Sequence, residues 1–186
     1  MEYHFNRKVI INLGGAVIME AIFNRRSVRK YKNQAVEEEK IIKLLRAAMQ
    51  APSAGNQQPW EFIVVQKKDT LKELSSTSPF AKFVEDAAIA IVLLSNEERL
   101  KYPENWQQDM GAAAENILIE ATDLGLGAVW LGVAPFEERE NHIEDIFQLN
   151  ENLKPYCLIA LGYPMEGSEN KFIDRYDEKR VHFEKI

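Results

Sequence analysis

The chain is 186 residues long, 46% hydrophobic and 28% charged, a balance that belongs to a soluble single domain with room for a packed core. Its net charge of -6 speaks against a general nucleic-acid binder, because phosphate backbones are held by clustered positive surface. Cys157 is its one cysteine, so the chain by itself has no internal disulfide, thiolate zinc site or iron–sulfur cluster, and a reducing, cytoplasmic setting fits.

Residues 1–18 stand apart. Arg7 and Lys8 ahead of Val9 to Ile18 have the outline of a secretion signal, but Asn12, Gly14 and Gly15 interrupt the apolar run. It is too short to span a bilayer, and no small-residue cleavage site precedes Met19. Gly14 and Gly15 require GGN codons just upstream of Met19, where a bacterial ribosome-binding site would lie. Met19 is therefore expected to be the true start, with 1–18 a translated leader or disordered extension and 19–186 the single domain.

Met19 to Asn24 reads as a short helix running into a basic segment. Glu37 to Met49 is an amphipathic helix, with Ile41, Leu44, Leu45, Ala48 and Met49 on one face and glutamates at its positive N-terminal end. Pro52 stops it. Phe62 to Gln66 follows as a strand, Thr70 to Ser75 as a short helix and Pro79 to Val84 as a helical turn. Ala88 to Leu94 is a continuous apolar run, the pattern of a strand covered on both faces. Asp109 is expected to cap a long helix from Met110 to Leu124, apolar on every side and hence buried. Gly125 and Gly127 end that helix. Ala128 to Val133, Glu137 to Phe147 and Tyr156 to Leu161 read as strand, helix and strand. In the tail, Val181 and Phe183 alternate with His182 and Glu184 as in a strand that must pair with something. About five strands among six or so helices fit an α+β or α/β architecture.

Three segments carry chemistry. Arg25 to Val36 holds five positive charges and no acid. Two arginine forks beside the Ser27 hydroxyl suit a phosphate, and a solvated helix end complementing the dipole accounts for them equally. The loop Ala51 to Trp60, polar with prolines at both ends, is stiff enough to lay backbone groups against a flat ligand, although turn chemistry alone also selects Pro, Ser, Gly and Asn. The strand ending at Leu131 and Gly132 offers backbone that a planar ring can approach closely, and core packing explains most of its residues as well. The chain has no G-x-G-x-x-G after a strand, no G-x-x-x-x-G-K-[ST], no H-E-x-x-H and no G-x-S-x-G. His4, His142 and His182 lack ligand spacing, Ser53 lacks an evident histidine base, and Cys157 sits in an apolar strand. No metal site and no protein nucleophile are expected, so a cofactor that brings its own chemistry is the better reading.

In order along the chain come Arg25-Arg26-Ser27-Val28-Arg29-Lys30-Tyr31, Ala51-Pro52-Ser53 through Asn56 to Pro59-Trp60, Asp109 with Ala112 to Asn116 and Gly125-Leu126-Gly127, and Ala160-Leu161-Gly162-Tyr163-Pro164. Together these blocks resemble the nitroreductase family, from Met19 to the C-terminus. The resemblance implies an α+β fold with a mainly antiparallel sheet flanked by helices, in an intertwined homodimer that exchanges C-terminal arms and binds FMN at its interface. Arg25, Arg26, Ser27 and Arg29 match the block that holds the phosphate, the ribityl chain and the flavin edge at N1 and O2, where Arg29 gives electrostatic support. Pro52, Ser53 and Asn56 match the loop that reaches the partner's flavin, Leu131 and Gly132 the backbone beside N5 and O4, and Lys179 and Arg180 a basic pair returning to the phosphate. The implied activity is ping-pong: NADH or NADPH gives a hydride to flavin N5, and a nitroaromatic, quinone or flavin then accepts electrons. A flavin-storing or flavin-sensing protein without turnover, or a flavin-fragmenting or dehalogenating relative on the same fold, is the alternative. No membrane or nucleic-acid partner is expected. The lid between the apolar strand and the long helix, Ser95 to Gln108, is short, with Trp106 as its expected aromatic. Lys82 lies near the place of a second flavin-edge lysine.

Overall fold

A computed structural model describes residues 20–185; the expected leader and the Met19 start lie outside them. The helices are α1 (Glu20–Asn24), α2 (Glu38–Met49), α3 (Lys68–Leu74), α4 (Trp106–Asp123) and α5 (Glu137–Phe147), and the strands are β1 (Trp60–Val65), β2 (Ile89–Asn96), β3 (Gly127–Gly132) and β4 (Leu153–Gly162). The strands form one antiparallel sheet in the order β1-β2-β4-β3. The architecture is α+β, with the antiparallel sheet that was expected.

The continuous apolar run of β2 has a direct cause. Ile89, Ile91 and Leu93 point into a core shared with α2 and α4, while Ala90, Val92 and Leu94 point into a second core that includes Leu71 and Leu74 of α3 and Ile143 of α5. In β4, Cys157, Ile159 and Leu161 join the first core and Leu158 and Ala160 the second. A strand covered on both faces has no position for a polar residue except at its ends. Each fully buried leucine or isoleucine in these layers contributes about 1.5–3 kcal/mol of transfer free energy.

Several boundaries and one element differ from expectation. β4 starts at Leu153, three residues ahead of Tyr156, and so runs through Pro155. Proline removes a ladder donor; its partner Leu94 lies where the β2–β4 register shifts, between Leu93 and Leu94. α4 starts at Trp106, which places Asp109 inside its first turn and not at its cap. Nor is α4 buried all round: Met110, Ala113, Ala114, Ile117, Leu118 and Ala121 form the buried stripe, while Ala112 and Ile119 are half-buried and Glu115 is exposed. The tail holds no strand among its described residues. Glu178–Arg180 is a single 3-10 turn, and Val181 and Phe183 stand 42% and 87% exposed, since a strand needs a ladder partner and a single chain supplies none there.

Candidate functional site

The basic segment after α1 is tied to the outer edge of β3. Ser27 forms a parallel bridge with Ala128, and the Val28 amide donates to the Ala128 carbonyl at 3.0 Å. Gly127 makes this approach possible, because a Cβ there would lie 2.6–2.9 Å from three side-chain atoms of Val28. Tyr31 locks the far end, its hydroxyl donating to the carbonyls of Val28 at 2.6 Å and Ala160 at 3.1 Å. Burial raises the Tyr31 phenol well above its ordinary value. Val28 and Tyr31 are buried, while Ser27 and Arg29 are exposed and Arg25 and Arg26 half-buried: apolar anchors alternate with outward polar groups.

Arg26 is the unusual member. Its Nε and Nη2 are shielded from water and have no hydrogen-bond partner among the described residues. Loss of hydration first, then repulsion from Arg175 and Arg25, draws its guanidinium below the ordinary arginine value. Arg25 has a counter-charge, with its Nε 3.5 Å from Glu115 Oε1. Two shielded, unsatisfied donors on a cation among other cations are costly unless an anion closes on them, so this segment has the donor chemistry of a phosphate site.

The tail braces the same place. Asn170 Oδ1 accepts from the Arg26 amide at 3.1 Å, and its Nδ2 donates to the Leu126 carbonyl at 2.9 Å. Phe172 packs against Phe23 with ring centroids 6.4 Å apart. The tail cation that acts on Arg26 is Arg175; Lys179 and Arg180 are exposed on their 3-10 turn, and no hydrogen bond among the described residues joins them to the basic segment. Neither Asn170 nor Arg175 belongs to a motif in the sequence, so neither drew notice there.

Beyond Ala128 no strand among the described residues pairs with the outer edge of β3. The Ala128 carbonyl points outward to Val28, so strand alternation sends the backbone groups of Trp130 and Gly132 the same way. The Gly132 carbonyl accepts from Arg139 Nη1 at 2.8 Å. Leu131 is half-buried and Gly132 exposed. A Cβ on Gly132 would meet only the Ala134 carbonyl, at 3.9 Å, so nothing within the chain requires glycine there. From Ala128 to Gly132 the edge runs roughly 13 Å at strand rise, leading from the basic segment to this bare backbone.

The loop after α2 is held at the opposite end of α4. Gly55, Asn56 and Gln58 all take left-handed backbone, with φ of 53°, 54° and 48°. For Asn56 and Gln58 that is a sparsely populated conformation which the surroundings must enforce. The enforcing group is Asp109, only 4% exposed, whose Oδ1 accepts from the Ala54 amide at 2.9 Å and whose Oδ2 accepts from Gln57 Nε2 at 2.6 Å. Ser53 Oγ accepts from the Gln58 amide at 3.0 Å. Pro52 and Asn56 are left exposed and Ser53 half-buried. Asp109 shares the i, i+4 row of Ala113 and Ile117 on the buried face of α4. A carboxylate in phase with a buried stripe must have partners, and that phase was readable in the sequence.

Within one chain the loop and the basic segment do not meet. The first is anchored at Asp109 in the first turn of α4, the second at Ala128 of β3 and, through Arg25, at Glu115 midway along the helix. Trp106 belongs to neither: it packs edge-on to Tyr156, which also meets Trp130, at centroid distances of 5.6 Å each, with Lys154 Nζ over its ring at 5.3 Å. Lys82 is an exposed partner of Glu85, at 3.0 Å.

The family model described as "Nitroreductase family" matches residues 22–80 and 75–163. The chain belongs to the nitroreductase family. A solved structure from Clostridium acetobutylicum, assigned provisionally as an NADH oxidase, is 60% identical, with a TM-score of 0.87 over 89% of this chain and 99% of that one. A Methanothermobacter thermautotrophicus protein, assigned provisionally as an NADH dehydrogenase/NAD(P)H nitroreductase, is 42% identical over 96% of this chain and 94% of its own. A nitroreductase from Desulfovibrio desulfuricans, likewise so named provisionally and solved in complex with FMN, is 30% identical, with a TM-score of 0.76 over 90% of this chain and 96% of that one. The family makes this chain an oxidoreductase. None of its described helices is long and apolar enough to cross a membrane.

Proposed function

We propose that this nitroreductase-family protein is a cytoplasmic homodimer that holds FMN between its two chains and uses NADH or NADPH to reduce nitroaromatics, quinones or free flavin. The observation that carries the reading is the pair of shielded, unpartnered donors on Arg26, set at the head of an open strand edge that ends in exposed Gly132. That edge would take a phosphate at the basic segment and a flat ring toward Gly132. In this assignment Arg25, Arg26 and Ser27 bind the phosphate and ribityl chain, with Lys179 and Arg180 returning to it from the tail. Arg29 faces the pyrimidine edge of the ring, and the backbone of Leu131 and Gly132 lies beside its central nitrogen. Pro52, Ser53 and Asn56 reach the ring from the partner subunit.

The flavin supplies the redox chemistry, taking a hydride from the nicotinamide and passing electrons to the oxidant. What the chain contributes is position and charge. Arg29 places a cation where electron density rises, an electrostatic contribution of a few kcal/mol in a shielded site. Outward-facing backbone on β3 would flank the ring, with Arg139 held on the Gly132 carbonyl at 2.8 Å. Anaerobic stopped-flow mixing with NADH and with NADPH tests the function: the yellow of bound flavin should bleach in a rapid phase with at least one of them, and return on adding a nitroaromatic. A flavin that stays yellow with both nicotinamides contradicts it.

A further inference from the structure

The tail is fastened to the basic segment at both ends. At one end Tyr31 bridges Pro164, and the Met165 amide donates to the Lys30 carbonyl at 3.0 Å. A tight turn follows, closed by the Ser168 amide on the Met165 carbonyl at 2.9 Å, with Gly167 in left-handed backbone at φ 80°, a conformation that glycine takes without strain. The turn returns the chain to Asn170, which holds the other end. Its carboxamide accepts from the Arg26 amide and donates to the Leu126 carbonyl, so one half-buried side chain ties the Arg26 backbone to the turn between α4 and β3. Phe172 then packs on Phe23 of α1.

The Arg26 guanidinium gives that hold its consequence. Nη1 donates to the Arg25 carbonyl, and the two donors left without a partner among the described residues are Nε and Nη2. These are adjacent N–H groups on one edge of the planar group, the edge that closes on two phosphate oxygens through parallel hydrogen bonds. A fork of this kind has a fixed direction, set by the backbone from which it springs. Neither bond of Asn170 touches the guanidinium, and both fix that backbone. Freeing it would return conformational freedom that must be lost again when an anion binds.

Resting on the FMN assignment above, we infer that Asn170 is the positioning residue of the phosphate subsite: by pinning the Arg26 backbone to Leu126 it holds the Nε and Nη2 fork ready, and so sets how strongly the protein prefers FMN over riboflavin. The two flavins share the ring and the ribityl chain and differ in the phosphate alone. Their affinity ratio therefore reads this subsite and cancels whatever acts on the ring.

The test titrates apoprotein with FMN and with riboflavin, followed by quenching of flavin fluorescence, in wild type, Asn170→Ala, Arg26→Ala and the double variant. Wild type should prefer FMN. Asn170→Ala should lower that preference about tenfold, equivalent to 1.4 kcal/mol, by raising the FMN dissociation constant with little change for riboflavin. In the Arg26→Ala background the same substitution should have little further effect, since a residue that acts through Arg26 has nothing left to act on. A preference unchanged by Asn170→Ala, a loss shared equally by both flavins, or a loss that adds in full to that of Arg26→Ala overturns the positioning role and leaves the FMN assignment standing. Wild-type protein that binds neither flavin, or both equally, overturns the assignment beneath it and this role together.

Discussion

At the scale of single residues, the site turns on groups whose environment is wrong for an isolated chain. Arg26 is one: two shielded donors without partners are a local deficit that a phosphate removes. Charge-assisted hydrogen bonds are worth about 1.5–3 kcal/mol each, so Arg26→Ala should raise the FMN dissociation constant roughly 10- to 100-fold. Fluorescence titration of apoprotein with FMN measures it, and unchanged affinity would remove Arg26 from the phosphate site. Gly127 is a second. Alanine there must displace the Val28 side chain, and with it the segment that carries the arginines. Overpacking of this kind costs about 1–3 kcal/mol, read as a lower melting temperature, and the second substitution Val28→Ala should recover part of the loss. The composition of the basic segment was visible in the sequence. What was not visible is that Arg26, and not its neighbours, is shielded, because shielding comes from the tail folding back through Asn170, a contact across 144 residues that no local pattern records.

At the scale of elements, hydrophobic periodicity carried most of the reading and failed at identifiable places. α2, β2 and α5 were legible because each has a strong period or an unbroken apolar run. α4 was legible as a helix, but Asp109 was read as its cap, where a lone acid before an apolar run belongs by rule. Its position in the buried row was the better guide, and it accounts for the rigid loop. β4 was cut short at Pro155, since a proline is normally a boundary. The junction of α2, β4 and α4 has a pH signature. Tyr163 Oη donates to Glu37 at 2.7 and 2.9 Å, and Lys40 Nζ donates to that hydroxyl at 2.9 Å and to the Leu124 carbonyl at 3.0 Å. The Tyr163 hydrogen bond, ahead of Glu37's own backbone amide and Lys40, holds the Glu37 carboxyl below its ordinary value. A depressed folded pKa gives stability that is complete above the unfolded value of about 4.3 and is lost as pH falls through the folded one. The stability difference between wild type and Glu37→Gln should therefore be constant from neutral pH to about pH 5 and shrink below about pH 4. Because the pair is exposed it should also weaken with salt. A difference that grows on acidification would contradict this sign.

At the scale of the whole molecule, the proposed dimer is tested by the surfaces that the chain leaves exposed. The loop is anchored at the first turn of α4 and the basic segment at the edge of β3, and no hydrogen bond among the described residues joins them. Ala112 and Ile119 leave the outer side of that helix half-buried, and the tail presents Phe172, Tyr176 and Phe183 at 47%, 75% and 87% exposure. Apolar exposure of this extent is of the kind that marks interaction surfaces. Cofactor and dimer are thus one claim, and sedimentation of the purified protein, followed at once in the protein and flavin absorption bands, tests it most directly. The account predicts a single species of twice the 21.4 kDa chain mass carrying one FMN per chain. A colourless species of single-chain mass that stays so after FMN is added would contradict it.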